Sequence, residues 1–267
     1  MSTIDIKTAL ANGEVVFGGW LQISHPSAAE AMCGCGFDFV TVDAEHGDCD
    51  LTAICNTLRG LGETPGFVRV RQNATIEIRQ ALDCGARGIF VPLVEDGEGA
   101  RRAVAAAMYP PQGIRGFAYC RANHWGGDFD RYAQQANGRT CVFVMVETAR
   151  GVANIEDIVA TPGVDGVLIG PYDLSGSMNL LGQMEHPRML EAEEVVIAAC
   201  EQHRKAAGIH LVTPTAESIE KTMQMGYRLI VLGMDTVFLS VSARQAMKQA
   251  RICLGAGCYA ADGVDHQ

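Results

Sequence analysis

Along the chain, apolar residues gather into short runs that alternate with longer segments in which they recur at i, i+3 and i+4. These are the periods of buried strands and of helices with one apolar face. After a short first helix, strands are predicted over residues 15–22, 37–42, 67–70, 88–94, 142–146, 166–169, 208–212 and 228–232. Helices are predicted over residues 27–33, 51–61, 75–84, 99–108, 152–160, 187–206, 216–225 and 236–252. Punctuation agrees with this division: Pro26 opens the first of these helices, Gly34 and Gly36 close it, Gly85 stops the third, and Pro162 with Gly163 ends the fifth. One stretch breaks the rhythm. Residues 109–139 are rich in Gly, Pro and Arg and read as a long functional loop with room for one short helix.

Eight strand-then-helix units without a linker predict an α/β chain folded as one (β/α)₈ TIM barrel over residues 1–254. The competing architecture, an open doubly wound sheet, would carry its ligand at a glycine-rich turn after an early strand, and no G-x-G-x-x-G occurs there. Residues 255–267, small and polar, are expected to form a disordered tail.

Composition narrows the function classes. A formal net charge of -10 and a pI near 5.1 argue against a nucleic-acid surface, which needs clustered Lys and Arg to neutralise phosphates. No run of apolar residues is long enough for a membrane span, and the first residues lack the apolar core of a signal peptide, so a soluble, cytoplasmic protein with no membrane partner is expected. The 10 cysteines are scattered through apolar patterns and read as reduced packing residues. Cys33 and Cys35, with no second Cys or His cluster, make a poor zinc site.

The chemistry gathers at the predicted strand ends. In residues 141–175, two apolar runs lead to the carboxylates Glu147 and Asp173, with a helix between. A parallel βαβ unit sets the ends of its two strands side by side, so these acids converge on one rim. Read singly, either is a solvated loop residue; together they suit a hard divalent cation such as Mg²⁺ or Mn²⁺, which takes oxygen ligands. Asp43, Glu45 and His46 follow the second strand, where an imidazole can carry a proton near neutral pH or simply cap the loop. Arg69, in an otherwise apolar strand, must pair with a carboxylate or face an anionic ligand. Asp83 reads as a polar residue near a helix end. The turn Gly170-Pro171-Tyr172-Asp173-Leu174-Ser175 offers backbone N–H groups to a carboxylate or phosphate.

The strings GFDFVTVDAEHG, VRVRQN, LDCGARGIFVP, YPPQGIRG, VETARGVANIEDI, PGVDGVLIGPYDLS and GMD resemble, in order and spacing from about residue 17 to 239, the HpcH/HpaI aldolase family of metal-dependent, class II pyruvate aldolases. The resemblance implies a barrel that assembles as a hexamer, a trimer of dimers, with the last helix exchanged with a neighbouring subunit. It implies reversible cleavage of a 4-hydroxy-2-oxo acid to an aldehyde and pyruvate, or an analogue such as hydroxypyruvate, with one Mg²⁺, Mn²⁺ or Co²⁺ ion as Lewis acid. Position by position, Glu147 and Asp173 match the family's metal ligands, and Gly170, Pro171, Tyr172 and Asp173 the turn that receives the pyruvate carboxylate. His46 matches the base, Asp83 the acid that raises its basicity, and Arg69 the cation that stabilises enolate charge. Asp43 and His210 complete the substrate-binding set.

Two positions depart from the family pattern: Met145 stands where relatives usually have Gln, and His210 where some have an apolar residue facing the aldehyde. They lead to an expectation of tolerance for altered 2-oxo acids and preference for short polar aldehydes. A citrate- or malyl-thioester-type carbon–carbon lyase or synthase on the same barrel remains an alternative, although nothing marks a coenzyme A pocket. So does a non-catalytic barrel that binds 2-oxo acids. No lysine lies on a predicted strand end to form a Schiff base.

Overall fold

The structure, a computed structural model, describes residues 5–253. α1 (Ile6–Ala11) leads into β1 (Val16–Leu21), α2 (Pro26–Cys33), β2 (Phe39–Asp43), α3 (Leu51–Gly60), β3 (Gly66–Arg69), α4 (Thr75–Asp83), β4 (Gly88–Val91) and α5 (Gly97–Ala107). A tight turn at Arg121–Gly126 and α6 (Phe129–Arg139) occupy the long connection before β5 (Cys141–Val146). α7 (Ala149–Ala153), α8 (Ile155–Val159), β6 (Gly166–Ile169), α9 (Pro171–Ser177), α10 (Pro187–Gln202), β7 (Ala206–Leu211), α11 (Ala216–Met225), β8 (Leu229–Leu232) and α12 (Asp235–Cys253) complete it. The strands pair in parallel in sequence order, and β8 closes on β1 to make the expected barrel.

Because both faces of a parallel barrel strand are covered, the apolar runs are nearly continuous and supply two cores. The outer core lies between sheet and helices and is dominated by Val, Ile, Leu and Ala. The inner core holds Trp20, Phe39, Phe67, Phe90, Phe143, Met145, Leu168 and Leu229, with Ile6, Ala9 and Leu10 of α1 packed into the same cluster. Rings on neighbouring strands touch: Phe39 and Phe67 centroids lie 4.8 Å apart, Phe90 and Phe143 5.1 Å. Glycine makes room for them, since a Cβ at Gly18 would lie 2.2 Å from the Phe39 ring.

Several expected boundaries move. α10 stops at Gln202, and Ala206, expected as its last residue, pairs with Gly166 and, with Ala207 beside Val167, starts β7. The single helix expected over residues 152–160 is two short helices meeting at Asn154. β4 ends at Val91, before Pro92. The long connection carries the 11-residue α6, a larger ordered piece than the sequence suggested. The expected tail, 255–267, lies outside the described residues.

α12 barely touches its own barrel. Among its described residues only Asp235 is buried, and Phe238, Leu239, Val241, Met247 and Ile252 are exposed. Its first residue is nevertheless anchored: the Asp235 carboxylate accepts the amides of Gln22 and Ile23 just past β1, both at 2.9 Å. Among the described residues, no helix is long and apolar enough to cross a membrane, and the cysteines are free thiols.

Candidate active site

The register of β2 and β3 places Asp43 beside Arg69, both buried, at the C-terminal ends of their strands. Arg69 donates from Nε to Asp43 Oδ1 at 2.8 Å and from Nη2 to Oδ2 at 2.5 Å. Oδ2 also accepts Trp20 Nε1 at 3.1 Å, and Oδ1 accepts the amides of Glu45 and His46 at 3.1 and 3.2 Å. Burial alone would raise the Asp43 pKa, but the hydrogen bonds and charge of Arg69, with Trp20 and the His46 amide, hold it below the usual carboxylate range. Both oxygens are thus engaged within the protein. Asp43, expected in the substrate-binding set, is the carboxylate that holds Arg69.

The guanidinium is fixed on two further sides. Its Nη1 lies 3.1 Å from Glu45 Oε2, and its carbon lies 5.2 Å from the Trp20 ring centre. Glu45 also lies 3.9 Å from His46 Nε2, beyond direct hydrogen-bonding reach. The His46 side chain is 61% exposed at the rim.

Glu147 follows β5 and is buried, its Oε2 accepting the Leu93 amide at 3.0 Å. Burial, reinforced by the charges of Glu45 and Asp173, pushes its carboxyl up to about 7 against the opposing effects of the Leu93 amide and Arg69. Gly170, just past β6, allows this carboxylate its place: a Cβ there would lie 2.6 Å from Glu147 Oε1. The expected Gly-Pro turn is the first turn of the short α9, with Gly170 at its cap, Pro171 and Tyr172 leading it, and Asp173 exposed in it. Glu45, Glu147 and Asp173 are therefore carboxylates within electrostatic range of one another, with Arg69 as the facing guanidinium. That surplus of hard oxygen donors, and the clearance at Gly170, fit an oxygen-seeking divalent cation. Among the described residues no group of three His, Cys, Asp or Glu side chains is arranged to hold a metal, so the remaining ligands of such an ion would come from substrate and water.

His210 lies inside the barrel, its ring 5.1 Å from that of Trp20 and its Nε2 3.0 Å from the Gly233 carbonyl. Burial pushes its pKa down to about 4, so the neutral ring donates Nε2–H to the carbonyl and keeps Nδ1 as an acceptor. Met145 is buried two residues before Glu147.

Asp83 is not with these residues. α4 runs back along the barrel from the end of β3, so its last residue lies near the opposite, N-terminal ends of the strands. There Asp83 accepts Arg115 Nη2 at 2.8 Å, and the buried Arg115 stacks over Tyr109 at 4.6 Å. The expected pairing of Asp83 with His46 is not made within one chain. Conversely, Trp20, Glu45 and Leu93 belong to the site without having been assigned to it. Trp20 and Glu45 were visible as an inward-phase aromatic and a second acid after strand two, but Leu93 acts through its backbone and leaves no side-chain signal.

The family model described as HpcH/HpaI aldolase/citrate lyase matches residues 17–241. The chain belongs to this family. It is 35% identical over 248 residues to a 4-hydroxy-2-oxovalerate aldolase of Novosphingobium aromaticivorans, covering 92% of this chain and 94% of that one. It is 37% identical over 236 residues to a hydroxypyruvate/pyruvate aldolase of Roseobacter denitrificans, covering 87% and 91%. A solved HpcH/HpaI aldolase/citrate lyase family protein from Burkholderia cenocepacia superposes with a TM-score of 0.87 at 36% identity, covering 92% and 98%. As a member of the HpcH/HpaI family, the protein is an aldolase-type lyase.

Proposed function

We propose that this protein reversibly cleaves 4-hydroxy-2-oxo acids to a pyruvate-type 2-oxo acid and an aldehyde, with a divalent cation held by Glu147 and Asp173. The observation that carries the reading is the guanidinium of Arg69, fixed by Asp43, Glu45 and Trp20 on the same rim as the carboxylates Glu45, Glu147 and Asp173. The relative of 35% identity is named for a 4-hydroxy-2-oxo acid, and that of 37% identity for hydroxypyruvate and pyruvate. When bound, a divalent ion would polarise the 2-oxo group and lower the barrier to forming an enolate.

The remaining work falls to the chain. Arg69, already oriented, supplies fixed N–H donors where negative charge grows on the oxo oxygen as the carbon–carbon bond breaks. His46, exposed at the rim, takes the proton from the C4 hydroxyl in cleavage and returns it in synthesis. Backbone N–H groups around Tyr172 and Asp173 receive the substrate carboxylate, and His210 with Met145 lines the aldehyde side. Because Asp83 is remote from His46 within one chain, any support it gives that imidazole must come from a neighbouring copy. A hexamer, with α12 laid on a neighbour, would also cover the apolar residues that α12 exposes.

The test is a panel of 4-hydroxy-2-oxo acids, with exchange of pyruvate methyl protons in deuterated water, before and after chelation and again after Mn²⁺ is returned. Loss and recovery of both reactions is expected. Undiminished turnover by protein shown to be metal-free would refute the cation, and turnover of a carboxylic thioester without turnover of any hydroxy-oxo acid would refute the substrate class.

A further inference from the structure

We infer that Leu93 is a positioning residue for Glu147, acting through its backbone and not its side chain. The inference rests on the reading of Glu147 as a cation ligand. Leu93 has a φ of +52°, a left-handed conformation that residues with a Cβ avoid. Of the other described non-glycine residues in this region, Asn179 and Arg204 lie just past the ends of α9 and α10, where such a conformation commonly terminates a helix, and His124 and Trp125 form a tight turn. Leu93 follows a strand, so no helix end accounts for it. Nor does packing, because the residue is 59% exposed.

The conformation does direct an amide. Leu93 N–H donates to Glu147 Oε2 at 3.0 Å, and the next amide, Val94, donates to the Met145 carbonyl at 3.1 Å. The segment after β4 is thereby fastened to the end of β5 on either side of Val146. With Oε2 engaged, Oε1 faces the clearance left by Gly170 and is the oxygen available to a cation. A left-handed, solvent-exposed leucine is the means by which a buried carboxylate keeps one orientation; strain retained beside a functional group is the pattern expected when the surrounding structure imposes it.

The test is Mn²⁺ affinity of the metal-free protein, read from the paramagnetic resonance signal of free Mn²⁺, with no turnover involved. Leu93→Pro, which lacks the N–H and cannot adopt this φ, is expected to bind about tenfold more weakly, the cost of one hydrogen bond to a charged group. Leu93→Val, β-branched and disfavoured in this conformation, should also weaken binding, whereas Leu93→Gly, which adopts it freely, should restore it. If the proline variant does not fold, the Val and Gly variants decide between them. Affinities equal to wild type in both, with only melting temperatures altered, overturn the inference. Equal Mn²⁺ binding by wild type and Glu147→Ala would instead remove the cation site itself, and the role of Leu93 with it.

Discussion

Asp43 and Arg69 are register partners on β2 and β3, and the carboxylate of one grips the guanidinium of the other through two parallel hydrogen bonds of 2.8 and 2.5 Å. This fork defines where the positive charge of the site stands. Asp43→Asn puts an N–H donor where an acceptor is needed and leaves a buried cation without its bidentate partner. A loss of about 3 kcal/mol of stability is expected, at the lower end for a broken buried pair because Glu45 still faces the guanidinium. Urea unfolding of both proteins measures it, and a change within error would show that Glu45 and Trp20 suffice to hold Arg69.

Arg69 itself separates charge from geometry. Arg69→Ala should lower kcat by roughly 10² to 10³, the usual effect of removing one group that stabilises a developing oxyanion, while the barrel still forms. Arg69→Lys keeps the charge but cannot reproduce the two-nitrogen fork, so it should recover only part of that loss. Steady-state kinetics beside circular dichroism provide the check; an alanine variant with normal kcat would assign Arg69 to structure alone.

His210 presents an acceptor, Nδ1, where a leucine would present none. The ratio of kcat/KM for glycolaldehyde over propanal in the synthetic direction should therefore fall in His210→Leu, because a polar acceptor substrate loses a partner that an aliphatic one never had. A ratio unaltered by the substitution removes His210 from substrate selection and leaves it as the neighbour of Trp20.

Glu193 allows a test of the electrostatics of the scaffold, away from the site. Burial raises its pKa, with Glu185 adding to the effect, while the Tyr227 hydroxyl donated to Oε2 at 2.9 Å and the charge of Lys221 oppose it. A carboxyl whose folded pKa exceeds its unfolded value gives stability that is complete below the unfolded pKa and is lost as pH rises through the folded one. Glu193→Gln does not titrate and can still accept the Tyr227 hydroxyl. Its melting temperature should accordingly gain on that of the wild type between pH 4 and pH 7; a constant difference across that range would show that the folded protein does not shift Glu193.

The barrel was legible because its strands are buried on both faces, and runs such as residues 166–169 admit no other reading once the helices between them are counted. Boundaries failed where composition was neutral, as at Ala206 and Ala207, whose small apolar side chains suit a helix end as well as a strand start. The places of Glu147, Asp173, Arg69 and His46 near the C-terminal strand ends could be read from the order of apolar runs and polar residues, while the role expected of His46 came from resemblance. The expected partnership of Asp83 with His46 came from resemblance, and a position in sequence does not tell which end of the barrel a helix residue reaches or which copy it serves. Leu93 was invisible because its contribution is an amide, which every residue but proline has.

The Phe39 ring occupies the volume that a side chain on Gly18 would need, so the two positions exchange space across neighbouring strands. Changing either alone is costly in opposite ways: a methyl group at Gly18 collides with the ring, and a smaller residue at Phe39 opens a void beneath the site. Drift at this level of the barrel must proceed by matched double substitutions, which are rare, whereas residues at the rim can change singly. Gly18 and Phe39 thus form a coupled pair low in the barrel, and residues at its mouth can be exchanged without disturbing it.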